Sequence, residues 1–139
     1  MSIPTKIEDD PWVYHGEQEP DVRQDGKWML FYPKTLLDSK WTTFCNLYDN
    51  DKIKGILRMK CSTNWRSDRS SDPDGGVIIL YCTNSSNAKE IINIGKGILP
   101  YLKDYQSHAI YYKTTEQTFA GTKSTGCKKN YTYFINIPK

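Results

Sequence analysis

The stretch Gly26-Lys27-Trp28-Met29-Leu30-Phe31-Tyr32 constrains this chain more than any other. Aromatic and aliphatic residues run unbroken from Trp28 to Tyr32, and Pro33 ends the run, so it reads as a buried strand. Asp38 stands just before Ser39-Lys40-Trp41-Thr42-Thr43-Phe44, where its carboxylate is expected to cap the free amides of a helix. Trp41, Phe44, Cys45 and Tyr48 recur at helical spacing, so one face of that helix can pack back on the strand. A strand feeding an amphipathic helix is a folding unit, and the remaining segments must fit onto it.

With 139 residues the chain is long enough to bury one sizeable core. The expected division is an extended N-terminal arm over residues 1–25 and a single α+β domain over residues 26–139. The arm carries Pro4, Pro11, Pro20 and the acidic run Glu8-Asp9-Asp10. Its apolar segment Pro11-Trp12-Val13-Tyr14-His15 leaves two roles open for Trp12, an anchor on the domain or a stacking surface for a base. Only 37% of residues are hydrophobic, but ten Tyr and four Trp can fill a core with few side chains. The net charge of +3 is compatible with a phosphate-bearing partner.

Cys45, Cys61, Cys82 and Cys127 show no close metal or redox spacing. They read as free thiols in a reducing compartment, and the even count leaves disulfides open. No apolar stretch has membrane-spanning length, so the expectation is a cytoplasmic protein with no membrane partner.

Further strands are expected at Ile56–Cys61, Val77–Thr83, His108–Lys113 and Asn130–Ile137, and a second helix at Ala88–Leu99 opened by the cap residues Asn84-Ser85-Ser86-Asn87. Gly95 and Gly97 weaken that helix, which predicts its close approach to the sheet. Pro100 ends or kinks it. Strands that follow one another without helices between them give an α+β fold, a mainly antiparallel sheet backed by helices on one face.

Strand alternation sets Ile56, Arg58 and Lys60 on one face, opposite Leu57, Met59 and Cys61, and so offers Arg58 and Lys60 to a ligand. Trp65-Arg66 lies in the polar loop from Ser62 to Gly76, an indole beside cations. The loop from Thr114 to Lys129 adds Lys123, Lys128 and Lys129.

The ordered set resembles the cap-binding translation initiation factor family. The carriers are Lys27-Trp28-Met29-Leu30-Phe31, the helix Asp38 to Tyr48, the Trp65 loop, the Gly75-Gly76 turn and the helix Ala88 to Leu99. Gly26 to Phe31, Tyr112-Lys113-Thr114 and Ala120-Gly121-Thr122 also resemble the basophilic-leukaemia-expressed protein family, which shares that fold. The resemblance spans about Gly26 to Ile137 and implies a curved antiparallel sheet whose concave side binds a capped nucleotide. It implies that Trp65 stacks on a base and that Lys113 holds phosphate. Arg66 stands where the family has a base-reading Glu, and Tyr32-Pro33-Lys34-Thr35 offers no first stacking indole.

The resulting expectation is a non-enzymatic nucleotide- or RNA-binding module, with capped RNA among its candidate ligands and a link to translation. It needs no cofactor or metal, and no DNA partner is expected. Arg58, Lys60, Lys113, Lys123 and Lys128 would contact phosphates, and Trp65 and Trp12 would stack. Two alternatives are a phosphodiesterase using His15 or His108 with Lys60 or Lys113, and a protein-interaction module that has lost its ligand site.

Overall fold

A computed structural model describes residues 3–16, 26–65, 74–82, 87–114 and 133–138. Among the described residues six antiparallel strands make one curved sheet: β1 (Trp12–Gly16), β2 (Gly26–Pro33), β3 (Ile56–Ser62), β4 (Gly75–Cys82), β5 (Ala109–Thr114) and β6 (Tyr133–Asn136). Their spatial order is β1-β3-β4-β2-β5-β6. The helices α1 (Lys34–Asp49) and α2 (Ala88–Ile98) back one face. The fold is therefore α+β, as the run of strands and helices predicts.

The aromatic strand sits at the centre of the sheet, with β4 on one side and β5 on the other. Trp28, Leu30 and Tyr32 point to the helices and meet Leu37, Trp41, Phe44 and Cys45 of α1 and Ile91, Ile94 and Ile98 of α2. Trp28 is 0% exposed and Trp41 1%, so the two indoles anchor the core as the strand–helix unit requires. The pairing of β2 with β5 stops at Met29–Tyr111, and the next inward amide, that of Phe31, donates instead to the Tyr105 hydroxyl (2.7 Å).

Several local expectations need correction. Helix α1 begins at Lys34, not after Asp38, because Pro33 (φ −63) already sets its entry as the N-cap residue. Asp38 lies inside the helix and accepts hydrogen bonds from the Thr5 amide (3.0 Å) and hydroxyl (2.5 Å), pinning the 3₁₀ turn Pro4–Lys6. Asn87 does cap α2, accepting from the Glu90 amide (3.2 Å). The helix ends at Ile98, and Pro100 falls in a 3₁₀ turn.

Of the two α2 glycines, only Gly95 approaches the sheet: a Cβ there would lie 2.6 Å from Trp28 Cζ2 and 2.5 Å from Ile135 Cδ1. A Cβ on Gly97 would meet nothing within 4 Å. The segment expected as an arm contributes β1, which pairs along the outer edge of β3. Cys45, Cys61 and Cys82 are buried free thiols, and burial pushes the Cys45 thiol up to about 12. Cys127 lies outside the described residues. Among the described residues no helix is long and apolar enough to cross a membrane.

Candidate nucleic-acid interface

Alternation turns the second set of side chains away from the helices. On β3 the alternation contains a fault: the register shifts between Ile56 and Arg58. Ile56 therefore joins Met59 and Cys61 in the core, contrary to the expectation that it shares a face with Arg58. The Leu57 carbonyl at this bulge accepts the Tyr48 hydroxyl of α1 (2.8 Å). Gly16 closes against the same point with φ +115, where a Cβ would lie 2.9 Å from Arg58 Cα. The bulge, Tyr48 and Gly16 together fix where Arg58 leaves the sheet.

From there the register builds straight rows across the open face. Arg58 pairs with Tyr81, Tyr81 with Lys27, and Lys27 with Lys113, a basic row over β3, β4, β2 and β5. Two residues along each strand lies a second row, Lys60, Ile79, Met29, Tyr111 and Phe134. Large aromatics on this face that are well exposed include Tyr14 (48%), Phe134 (49%) and Phe31 (55%). Among the described strand residues on this face none is acidic.

Arg58, Lys60 and Lys113 thus share one face, as their spacing and the resemblance predict together. The cations are not equivalent. Arg58 lies over the Tyr14 ring (4.2 Å) and Lys60 over Trp12 (4.0 Å), so both lean toward β1. Burial, with Arg58 nearby, holds the Lys60 ammonium below its ordinary pKa. Trp12 is half-buried on the edge strand, its ring under Lys60.

Trp65 is 42% exposed and stands beyond the far end of β3 from Arg58, with its amide donating to the Thr63 hydroxyl (3.1 Å). Lys123 and Lys128 lie outside the described residues.

Lys27 is the cation that pattern reading missed. It stands at the centre of the basic row, and its side chain is 8% exposed without any partner among the described residues. Burial first, then the charges of Lys60 and Lys113, lower its pKa to about 8. The signal was available: Lys27 precedes Trp28, so once Trp28 is buried the lysine must face the other way.

The two histidines are not brought together. His15 faces the helices, its Nε2 2.7 Å from Asp49 Oδ1 and its ring edge-on to Tyr48, whereas His108 precedes β5, across the sheet. A cleft of about 580 Å³ between the Lys52–Gly55 turn and α2 lies away from the basic rows. Its lysines are exposed and Lys54 pairs with Asp51, so the cleft lacks the concentrated, desolvated charge of the open face.

No family model and no curated protein matches the sequence. Solved structures do match. One is a complex of C. elegans eIF4E-3 with the 4E-binding protein Mextli, at 14% identity and TM-score 0.59, covering 77% of this chain and 65% of that one. Another is the same pair with a cap analog, at 16% identity and TM-score 0.61, covering 78% and 65%. The chain thus spans about 65% of the length of the chains it matches. The likeness shows a shared architecture: this chain has the fold of the cap-binding translation factors.

Proposed function

We propose that the protein is a non-enzymatic nucleotide- or RNA-binding module that uses the open face of its sheet. The observation that carries this reading is the row Arg58, Lys27 and Lys113, with Lys60 beside it, on a face without acidic strand residues among those described. Four cations held on one surface repel one another, and burial of Lys27 adds a desolvation cost. An anionic ligand relieves both. Exposed aromatics beside the row supply the apolar contact that bases need, since stacking is worth about 1–3 kcal/mol per base.

The likeness to a fold seen with a cap analog supports a nucleotide as the ligand class. Base reading would fall to Trp65, with phosphates toward Arg58, Lys27 and Lys113. Lys123 and Lys128 would add charge from the last loop. A role in translation in the cytoplasm, and kinship with the basophilic-leukaemia-expressed protein family, belong to the same proposal. Catalysis by His15 with Lys60 or by His108 with Lys113 is not favoured, because His15 faces the helices while Lys60 is on the open face, and His108 precedes β5 while Lys113 lies near its other end.

The test is a titration of the intact protein with mononucleotides, cap analogues and short RNAs, followed by tryptophan fluorescence at several salt concentrations. Wild type should bind with a salt-dependent affinity, and Arg58→Ala and Lys113→Ala should each weaken it about tenfold, as loss of a charge-assisted contact implies. The Arg58→Ala, Lys60→Ala double variant should flatten the salt slope, because fewer counterions are released. A wild-type protein that binds none of these ligands at low salt rejects the reading and favours the protein-interaction alternative.

A further inference from the structure

Resting on the nucleotide-binding reading above, we infer that the ligand is an internal stretch of single-stranded nucleic acid crossing the strands, its phosphodiesters on the row Arg58–Lys27–Lys113 and its bases on the parallel row Met29–Tyr111–Phe134. The geometry of the rows carries this. Neighbouring strands are about 4.8 Å apart, so the basic row spans roughly 14 Å from β3 to β5. Its cations do not converge: Arg58 is drawn toward β1 by the Tyr14 ring at 4.2 Å, and Tyr81 separates it from Lys27. A single compact phosphate tail engages only part of such a row. A chain with recurring, spaced anions can follow all of it.

The second row runs parallel to the first, displaced by two residues along each strand, or roughly 7 Å. That displacement lies across a backbone held on the basic row, on the side where its bases must go. There the floor is apolar: Met29, then Tyr111 and Phe134 with ring centroids 6.3 Å apart and planes 33° from parallel. Stacking on such rings is tolerant of base identity, so the track accepts many sequences. Trp65, beyond the Ser62 end of β3, stands apart from the Met29–Tyr111–Phe134 floor and would serve base reading only for a single capped nucleotide.

Lys27 is the centre of the track. It is 8% exposed; Tyr81 of β4 and Lys113 of β5 flank it in register, and the charge of Lys60 on β3 also acts on it. Among the described residues none of these is acidic. A phosphodiester there supplies a counter-charge, and because the ammonium titrates at about 8, the ligand must hold its proton on. Affinity should therefore fall as pH rises through about 8, beyond what the other lysines cause.

The experiment measures Kd for uncapped, 5′-hydroxyl oligouridylates from mono- to hexanucleotide. Oligothymidylate tests whether the sugar matters, and uridine triphosphate and a cap analogue serve as single-nucleotide arms. Affinity should rise at least tenfold from the dinucleotide to the tetranucleotide and then flatten, with the triphosphate at least tenfold weaker than the tetranucleotide. Phe134→Ala, on an exposed side chain, should weaken the tetranucleotide by about five- to tenfold or more, the loss expected for one stacked base. Lys27→Met should weaken the tetranucleotide and abolish the extra loss of affinity above pH 8, whereas Lys27→Arg should keep the affinity and lose only that pH dependence. Affinity independent of length, a triphosphate or cap analogue that binds as well as the tetranucleotide, or an unaffected Phe134→Ala overturns the track. If the cap analogue binds through Trp65 while oligonucleotides do not, the track falls and the nucleotide-binding reading stands. If nothing binds, both fall.

Discussion

Replacing Gly95 by Ala sets two opposed effects against each other in the middle of α2. Alanine is the better helix former by about 1 kcal/mol. Its methyl, however, would sit 2.6 Å from Trp28 Cζ2, 2.8 Å from Trp28 Cε2 and 2.5 Å from Ile135 Cδ1. The Ile135 methyl ends a side chain and can turn aside. The indole cannot, because Trp28 is 0% exposed and stands edge-on to Tyr112 with centroids 5.4 Å apart. Overpacking of this kind costs about 1–3 kcal/mol or more, so the steric cost wins and Gly95→Ala should be destabilising by on the order of 1–2 kcal/mol. Gly97→Ala is the internal control two residues away: nothing lies within 4 Å, so it should stabilise by about 0.5–1 kcal/mol. Urea unfolding with unchanged m-values reads both as opposite shifts of the midpoint. A double variant with Trp28→Phe, whose shorter ring leaves the methyl room, should lose less stability than the two single changes summed. A Gly95→Ala protein at or above the wild-type midpoint would refute the argument.

Two further outcomes follow from the described contacts. Lys27→Met should raise stability at neutral pH by on the order of 2–3 kcal/mol while weakening ligand binding. The folded lysine titrates near 8 and the unfolded one near 10.5, so between them the unfolded chain binds more protons and wild type gains stability with rising pH. The gap between variant and wild type, measured by chemical denaturation, should be largest below pH 8 and close toward 10.5; a pH-independent gap would contradict it. Asp38→Ala should cost about 1–2 kcal/mol by freeing the Thr5 amide and hydroxyl. Because that carboxylate pins the N-terminal turn and does not cap α1, Thr5→Val and Asp38→Ala should be non-additive in a thermal melt; full additivity would restore a capping role.

How much of this was legible in the sequence depended on how local the deciding contact was. The Trp28–Tyr32 strand, the Trp41 and Phe44 face of α1, the Val77 strand and the Asn87 cap follow from patterns inside one element. So do Arg58 and Lys60 on the open face, because Met59 between them and Cys61 after them are core residues. Ile56 was misassigned because the bulge at Leu57 is fixed by Tyr48 and Gly16, from two other elements. Asp38 looked like a cap because its true partner, Thr5, lies far away in sequence. Lys27 escaped notice because it reads as a flank of the aromatic run; only the register with Tyr81 and Lys113 gives it neighbours. The strand at Trp12 was hidden by the prolines and acids around it, and its pairing with Ser62 is set by the sheet edge. Gly95 and Gly97 look alike in sequence, and only the indole beneath one of them tells them apart.

The central position of β2 also dictates an order of events during synthesis. Gly26 pairs with Cys82 on one side and with Thr114 on the other, so the most aromatic strand of the chain leaves the ribosome well before either neighbour exists. Until then its Trp28, Leu30 and Tyr32 are a template for mispairing with other nascent chains. What arrives next is α1, joined to β2 without a linker residue because Pro33 ends one and opens the other. Trp41 and Phe44 can cover the strand's inward face while β4 is still being made. Lengthening the join at Pro33 should therefore lower the soluble yield from translation more than it lowers the refolding yield of finished, dilute protein.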